Sequence, residues 1–539
     1  MVKSITILAT SIKENVSFSS DFNAKISVDC QQIASKFNSF SIEFVFEVPI
    51  VSFRNHDYLW VDVNETRIAT SLSSKILKLS NGFIVQANIN RGIWEVSPKN
   101  KKVLLWKFNP EYSNSLTEYT GIKNTKKLVS ANSALHFVEQ PSLLFTKADA
   151  IEISRSKIPF SAIACFTDHC DYDTLPNLKL QRQLFAKTNI KTTKGFFLNH
   201  FSKRNDNASF ENDKKELEFW KNDGHELCYH SLSQSIKSDA ESFEDFQNFQ
   251  HPFDDIPVWI DHGFQPYNFS LYKNNKVSNT TFEKQLSDKK IQVLWNYIDS
   301  GTATSGVINQ LNTTQFTLNN YRKGIAKFSF KTKLVMLFKN IIFHYDNDEN
   351  RVRNYIDAVA NARAIIKKKQ FLKVFTLIKN IVPLLMVVLK VLFFWNSEKN
   401  KPYKVAHFAP ILFKHRIDVK DFFVFQTLEI VDFKKSLHPQ NIESLISESG
   451  IFIAHTYFSV DMSHYSGKLF KQEGVFDDEV VANFENLSLK IRENKIWNPT
   501  LSQLIEYFNI FEETVFDVDA NGVIYIKNPN NLLSSRTIN

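Results

Sequence analysis

A short apolar run, Ile163–Phe166, ends abruptly in Thr167-Asp168-His169-Cys170-Asp171. An apolar stretch of that length, bounded by polar residues, reads as a buried strand that delivers acids and a histidine at its carboxyl end. Open α/β sheets and α/β barrels place their active sites at that edge. Further on, "NDGHELCYHSLSQS" repeats the arrangement, with His225 and His230 along a second candidate strand. Two strand ends bearing Asp and His within one block predict a metal-assisted or acid/base hydrolytic centre.

The pattern around this block supports the strand reading. From Ile151 the chain alternates strand and helix signals: "FSAIACFT", "LPNLKLQRQLFAKTN", "IKTTKGFFLN", "ENDKKELEFWKN" and "HELCYH". Asp223-Gly224 has the form of a helix stop. Such alternation predicts βαβ units and a largely parallel sheet or barrel. Further strand candidates are "IPVWIDHG", "IQVLWNYID" and, far downstream, "GIFIAHTYF". Residues 1–150 instead show period-two alternation with many aromatics, the signature of an antiparallel β module. The expected division is therefore 1–150 β-rich, 151–310 first part of an α/β barrel, 311–445 a mostly helical insertion, and 446–539 the last barrel elements. The final segment holds a hairpin turning at Asn521-Gly522.

Length and composition bound the function classes. A chain of 539 residues implies roughly three domains. With only 13 glycines there is no phosphate-cradling glycine loop, so ATP and dinucleotide readings are disfavoured. The net charge of +8 is modest for this length and comes from scattered lysines; no interleaved basic–aromatic motif suggests nucleic acid. Cys30, Cys165, Cys170 and Cys228 form no C-x-x-C pair. The apolar stretch Ile5–Thr10 is shorter than a signal-peptide core, so a reducing cytoplasm is the expected compartment.

Residues 370–397 form the most apolar segment, interrupted by Lys379, Lys390 and Pro383. Lys379 and Lys390 are three helical turns apart and share a face, which predicts an amphipathic helix. It can pack on the protein's own core, lie on a membrane surface or span a bilayer at a tilt. Packing on the core is the first of these readings; the basic cluster Lys367–Lys369 just before the segment adds weight to a membrane surface, the inner membrane face, without settling the choice.

Taken in order, "CFTDHCD" (165–171), "TTKGFFLN" (192–199), "GHELCYHSLSQ" (224–234) and "GIFIAHTY" (450–457) resemble the motifs of the polysaccharide deacetylase (NodB-like) superfamily, relatives of carbohydrate esterase family four. That family's first motif is a strand ending Thr-Phe-Asp-Asp-Gly, and its second is Gly-His-Glu-Ile-Gly-Asn-His-[Ser/Thr]-x-x-His. The resemblance covers about 75 residues plus the short downstream piece. It implies a distorted (β/α) barrel that removes an acetyl group from an N-acetylated glycan or glycolipid precursor by metal-assisted water attack. By position, Asp168 falls where the base sits, His169 where the metal-binding Asp sits, His230 on the first ligand of the second motif, Gln234 on the second, and His455 on the late acid. Gln234 departs from the pattern, because a neutral amide oxygen binds zinc much more weakly than imidazole. Asp171 is then an alternative carboxylate ligand. Either a divalent metal site, zinc by analogy, is rebuilt from Asp168, His169, Asp171 and His230, or the chain is a metal-free relative. A non-catalytic carbohydrate-binding protein and a glycosidase using paired carboxylates are the other readings.

Asp261 and His262 end another candidate strand, where the family presents substrate-orienting groups, and Trp295 and Asp299 loosely match its fourth motif. Local hydrogen bonding is the plainer role for each. His200 follows the second strand and could reach the pocket. Cys228 shares strand parity with His230, although a buried free cysteine is the commoner case. Ser231 and Ser233 sit in no nucleophile elbow.

Overall fold

The computed structural model describes all residues except 11, 18–23, 120–125, 235–236, 263–276, 300–305 and 463–464. The N-terminal part is a sandwich of two antiparallel sheets, each six-stranded among the described residues. One runs through Val2–Ala9, Phe40–Phe46 and Val103–Phe108; the other is centred on Ser142–Thr146, Ile84–Ala87 and Ile76–Leu79. The alternation in Phe40–Phe46 explains the packing: Phe40, Ile42, Phe44 and Phe46 are buried while Ser41, Glu43 and Val45 are only partly covered. Their side chains meet Phe53, Leu77, Val85 and Phe145 of the facing sheet in one apolar core.

Seven parallel strands then close a barrel among the described residues. They are β1 (Ala162–Asp168), β2 (Thr193–Phe196), β3 (Glu226–His230), β4 (Val258–Ile260), β5 (Val293–Asp299), β6 (Lys420–Glu429) and β7 (Ile451–Thr456). Closure occurs because β1 pairs with both β2, at Thr167–Thr193 and Asp168–Lys194, and β7, from Ile163–Ile451 to Asp168–Thr456. The fold is thus mixed α/β, with the barrel following the sandwich.

Helices with readable boundaries cover the outside. Leu175–Thr188 (α1) starts at Thr174, whose hydroxyl accepts the Asn177 amide at 3.4 Å, and stops at Asn189 in the left-handed region. Phe210–Asn222 (α2) starts at Ser209 and is followed by Gly224 at φ +82°. The barrel strands are apolar on both faces, as parallel strands covered on both sides must be. Ala164, Phe166, Leu227, Tyr229 and Leu294 face the helices. Ile163, Cys165, Cys228, Ile260 and Ile453 fill the lumen, together with Leu504 and Phe508 of the helix Leu501–Glu513 (α3), which plugs the start of the strands.

Two of the ties between sandwich and barrel lie at their junction. The last strand, Ser535–Ile538, pairs with Ala150–Ile153 just before the barrel. There the buried Glu152 carboxylate accepts from Arg54 at 2.7 and 2.8 Å and from Arg536 at 2.8 Å.

The insertion is shorter than 311–445. It includes helices Phe330–Asn340, Glu349–Lys368 and Lys373–Phe393, but Lys420–Glu429 is the sixth barrel strand, paired antiparallel with Leu412–Ile417. The helical expectation fails there because Phe422, Val424 and Leu428 pack outward under the helices while Phe425 turns into the lumen, a period of two rather than 3.6. Lys373–Phe393 is, among the described residues, the one helix long and apolar enough to cross a membrane. At the C-terminus, Phe516–Val518 and Ile524–Ile526 pair across Asn521-Gly522.

Candidate metal centre

Strand parity decides which groups reach the barrel mouth. Lumen-facing Ile163 and Cys165 put Thr167 and then His169 on the inner side of β1; Cys228 does the same for His230 and Ile453 for His455. Trp295 of β5 completes the inner set and donates its indole N–H to Thr427 Oγ1 at 3.0 Å. The four rings form one stack of contacts. His169 lies against His455 with centroids 3.9 Å apart and planes 23° apart, and meets His230 at 4.6 Å and Trp295 at 4.7 Å edge-on.

His169, Asp171 and His230 each offer one ligand atom, all within 4.8 Å of one another; no other such group occurs among the described residues. Hydrogen bonding around them favours a cation. His230 Nδ1 lies 3.3 Å from the Ile260 carbonyl oxygen and Nε2 lies 2.8 Å from Asp171 Oδ2, and both neighbours can only accept. A neutral ring carries one proton, so it satisfies one of the two and leaves the other contact as acceptor against acceptor. Two acceptors at that distance require a proton or a metal ion between them. Meanwhile His169 Nε2 is buried with no hydrogen-bond partner among the described residues. A buried imidazole nitrogen left without a partner is what a ligand looks like before its ion.

Electrostatics set the same protonation states. Burial holds His169 well below the usual histidine range, and the neighbouring His455 and His230 add to this. Burial also lowers His230, against the pull of Asp171. Burial would raise Asp171, but His230 and His262 overcome it and keep the carboxyl well below its ordinary range. Two imidazoles held below their usual range and one carboxylate held below its own are the donor set a divalent cation takes.

Asp168 is not in this cluster. It follows the outward parity of Ala164 and Phe166, so its carboxylate lies between barrel and helices, where it meets the ammonium of Lys194, its register partner on β2. Thr456 Oγ1 and the Phe458 amide donate to its other oxygen at 3.1 and 3.2 Å. Lys194 also donates to Asp173 at 2.5 Å and to Gln181 at 3.1 Å. Burial pushes Asp168 up to about 7, with Asp173 acting the same way and Lys194 opposing. Asp168, expected as the catalytic base, thus lies in a buried ion-pair network with Lys194 and Asp173 and not among the clustered histidines.

Gln234, expected as a ligand, has both amide atoms occupied. Its nitrogen donates to the Asp171 carbonyl at 2.6 Å and its oxygen accepts from Ser202 Oγ at 2.6 Å. It holds the backbone of Asp171, a candidate ligand. His262 is brought to the centre instead, with Nε2 2.9 Å from Asp171 Oδ1 and its amide donating to Ser231 Oγ. Asp261 is buried and accepts the indole N–H of Trp259 at 3.0 Å, a local role. Asp299 ends β5 opposite Thr427, with its side chain outside the described residues. His200 bonds within its own loop, Nδ1 to the Asn207 carbonyl at 3.0 Å. Cys165, Cys170 and Cys228 are buried, and burial pushes their thiols well up, so none offers a thiolate.

Sequence reasoning missed Lys194, Asp173, Gln181 and the Tyr457 ring, which packs 5.0 Å from both His169 and His455. A buried lysine in "TTKGFF" was the available signal, since a lysine inside a strand needs a carboxylate partner.

Comparison of the chain with protein-family models, with curated proteins and with solved structures returned no match.

Proposed function

We propose that the chain is a metal-assisted hydrolase of the polysaccharide deacetylase type, removing an acetyl group from an N-acetylated glycan or glycan precursor. The observation that carries this reading is the His169–Asp171–His230 triad at the carboxyl mouth of a parallel barrel, with His455 stacked beside it. Two imidazoles and one carboxylate would hold a divalent ion, zinc by donor type, with a coordination position left for solvent or substrate. When bound, such an ion supplies Lewis acidity toward the acyl carbonyl and lowers the pKa of a water molecule.

The remaining chemistry belongs to this chain's own groups. With Asp168 removed from the mouth, the base falls to an imidazole. His262, oriented by Asp171, takes the proton from the attacking water, and the Asp171 carboxylate stabilises the imidazolium formed. His455, across the cluster, protonates the departing amine. Tyr457 and Trp295 wall the site with rings that exclude bulk water and suit the apolar face of a sugar.

The test pairs elemental analysis of purified protein with acetate release from N-acetylglucosamine oligomers, before and after chelation. Bound zinc and chelator-sensitive acetate release are expected. Metal-free protein with no acetate release, or the appearance of new reducing ends, would refute the reading.

A second reading is a non-catalytic glycan-binding relative. It is favoured by Gln234, whose amide braces Asp171 where the family's second motif has a further imidazole. Glycan binding that survives Asp171→Asn, with no acetate released by the parent protein, would select it.

A further inference from the structure

The helix Lys373–Phe393 (α4) is packed along one side only. Leu384, Val388 and Val391 enter the apolar layer outside the barrel, and Pro383 falls within the helix. The opposite side is also apolar. Phe375, Ile378, Val382, Leu385, Met386 and Leu389 recur at helical spacing and are all exposed, Phe375 to 78%. The patch continues at both ends, with Leu372 87% and Phe393 84% exposed. A continuous apolar face of this kind is not left in water by an isolated soluble domain.

Charge identifies what covers it. Residues 358–397 contain seven lysines and arginines and no acidic residue. Lys379 and Lys390 flank the apolar stripe along one edge, and Arg363, Lys367, Lys368, Lys369 and Lys373 gather at the end where Glu349–Lys368 turns into α4. Apolar side chains bordered by cations, whose aliphatic stems can lie along the same surface, match the boundary between acyl chains and anionic headgroups. The 21 residues, about 31 Å long, meet the length of a bilayer crossing, but one face is already committed to the barrel layer and the other carries lysines at its edge. These features fit a helix lying in the plane of the surface.

We propose that α4 docks this protein on an anionic lipid bilayer, parallel to the membrane, with Phe375–Leu389 immersed and the 363–379 cations on the headgroups.

The test is co-sedimentation of the full chain with vesicles of phosphatidylglycerol–phosphatidylcholine or of phosphatidylcholine alone. At least about tenfold tighter partitioning to the anionic vesicles, weakened by salt, is expected. Phe375→Glu with Leu389→Glu should abolish binding while the melting temperature holds, since both side chains point outward. A Lys367→Glu, Lys368→Glu, Lys369→Glu variant, which leaves the apolar face intact, should lose at least about tenfold on anionic vesicles. Equal or absent binding to both vesicles overturns the proposal. So does self-association that Leu389→Glu disrupts, which would make a second copy the occupant, or resistance to alkaline extraction from membranes, which would make α4 a span.

Discussion

Asp171 faces two histidines at once, with Oδ2 2.8 Å from His230 Nε2 and Oδ1 2.9 Å from His262 Nε2. One carboxylate therefore links the candidate ligand set to the candidate base, and the two functions separate by substitution. Asp171→Asn keeps the shape but removes the charge that makes a shared cation favourable. It should lower zinc affinity by more than about 100-fold, measured by competition with a chromophoric chelator. His262→Gln should leave metal content near that of the parent and reduce only turnover. Equal metal loss in the two variants would place His262 in the ligand set.

Asp168→Asn is predicted to act on stability. It leaves Lys194 fully buried with Asp173 as its remaining carboxylate, and breaking a buried pair in this way costs about 3–5 kcal/mol. Chemical denaturation reads the loss directly. Unchanged stability with abolished turnover would return Asp168 to the catalytic group.

Gln234→Ala should loosen Asp171 without removing a ligand, weakening metal binding about tenfold, with Gln234→Glu retaining part of the effect through Ser202. Metal titration of the two variants distinguishes this bracing role from direct ligation.

Gly195 sits where β2 crosses close to β1. A methyl group there would collide with the Asp168 carbonyl oxygen and lie 3.5 Å from His230 Cβ. Gly195→Ala should therefore cost about 2 kcal/mol or more and shift the His230 ring, seen as a lower melting temperature together with weaker metal binding. A variant as stable as the parent would show that the strands part more easily than their packing implies.

Acid should weaken the fold before it affects the surface. Burial lowers His56 and His225 from 6.5 to about 4. Between those values the unfolded chain takes up protons that the native protein refuses, so stability falls as pH drops below 6.5. The loss is about 2 kcal/mol for each ring at pH 5. Urea midpoints at pH 7 and pH 5 should differ accordingly, and His225→Gln should flatten the difference. Identical midpoints for the parent would contradict the buried neutral state of both rings.

The strand Ile163–Phe166 and the clustering of His169, His230 and His455 were legible because histidines in a βαβ pattern can only gather at one sheet edge. Which neighbour of His169 faced the mouth was not. Both faces of β1 are apolar, one toward the lumen and one toward the helices, so no polar alternation marks the inner side. The choice between Asp168 and Asp171 needed the register that sets Asp168 opposite Lys194. Lys420–Glu429 was hidden for another reason: its apolar run lies beyond a long apolar helix and ends without a histidine.

Closure through β1 has a consequence for synthesis. Its second neighbour, Ile451–Thr456, leaves the ribosome long after the first, Thr193–Phe196. Until then the nascent chain carries an open apolar sheet edge, able to pair with any other strand it meets. A chain interrupted within the helical insertion would keep that edge permanently, so truncation there should yield aggregates and not a smaller folded protein.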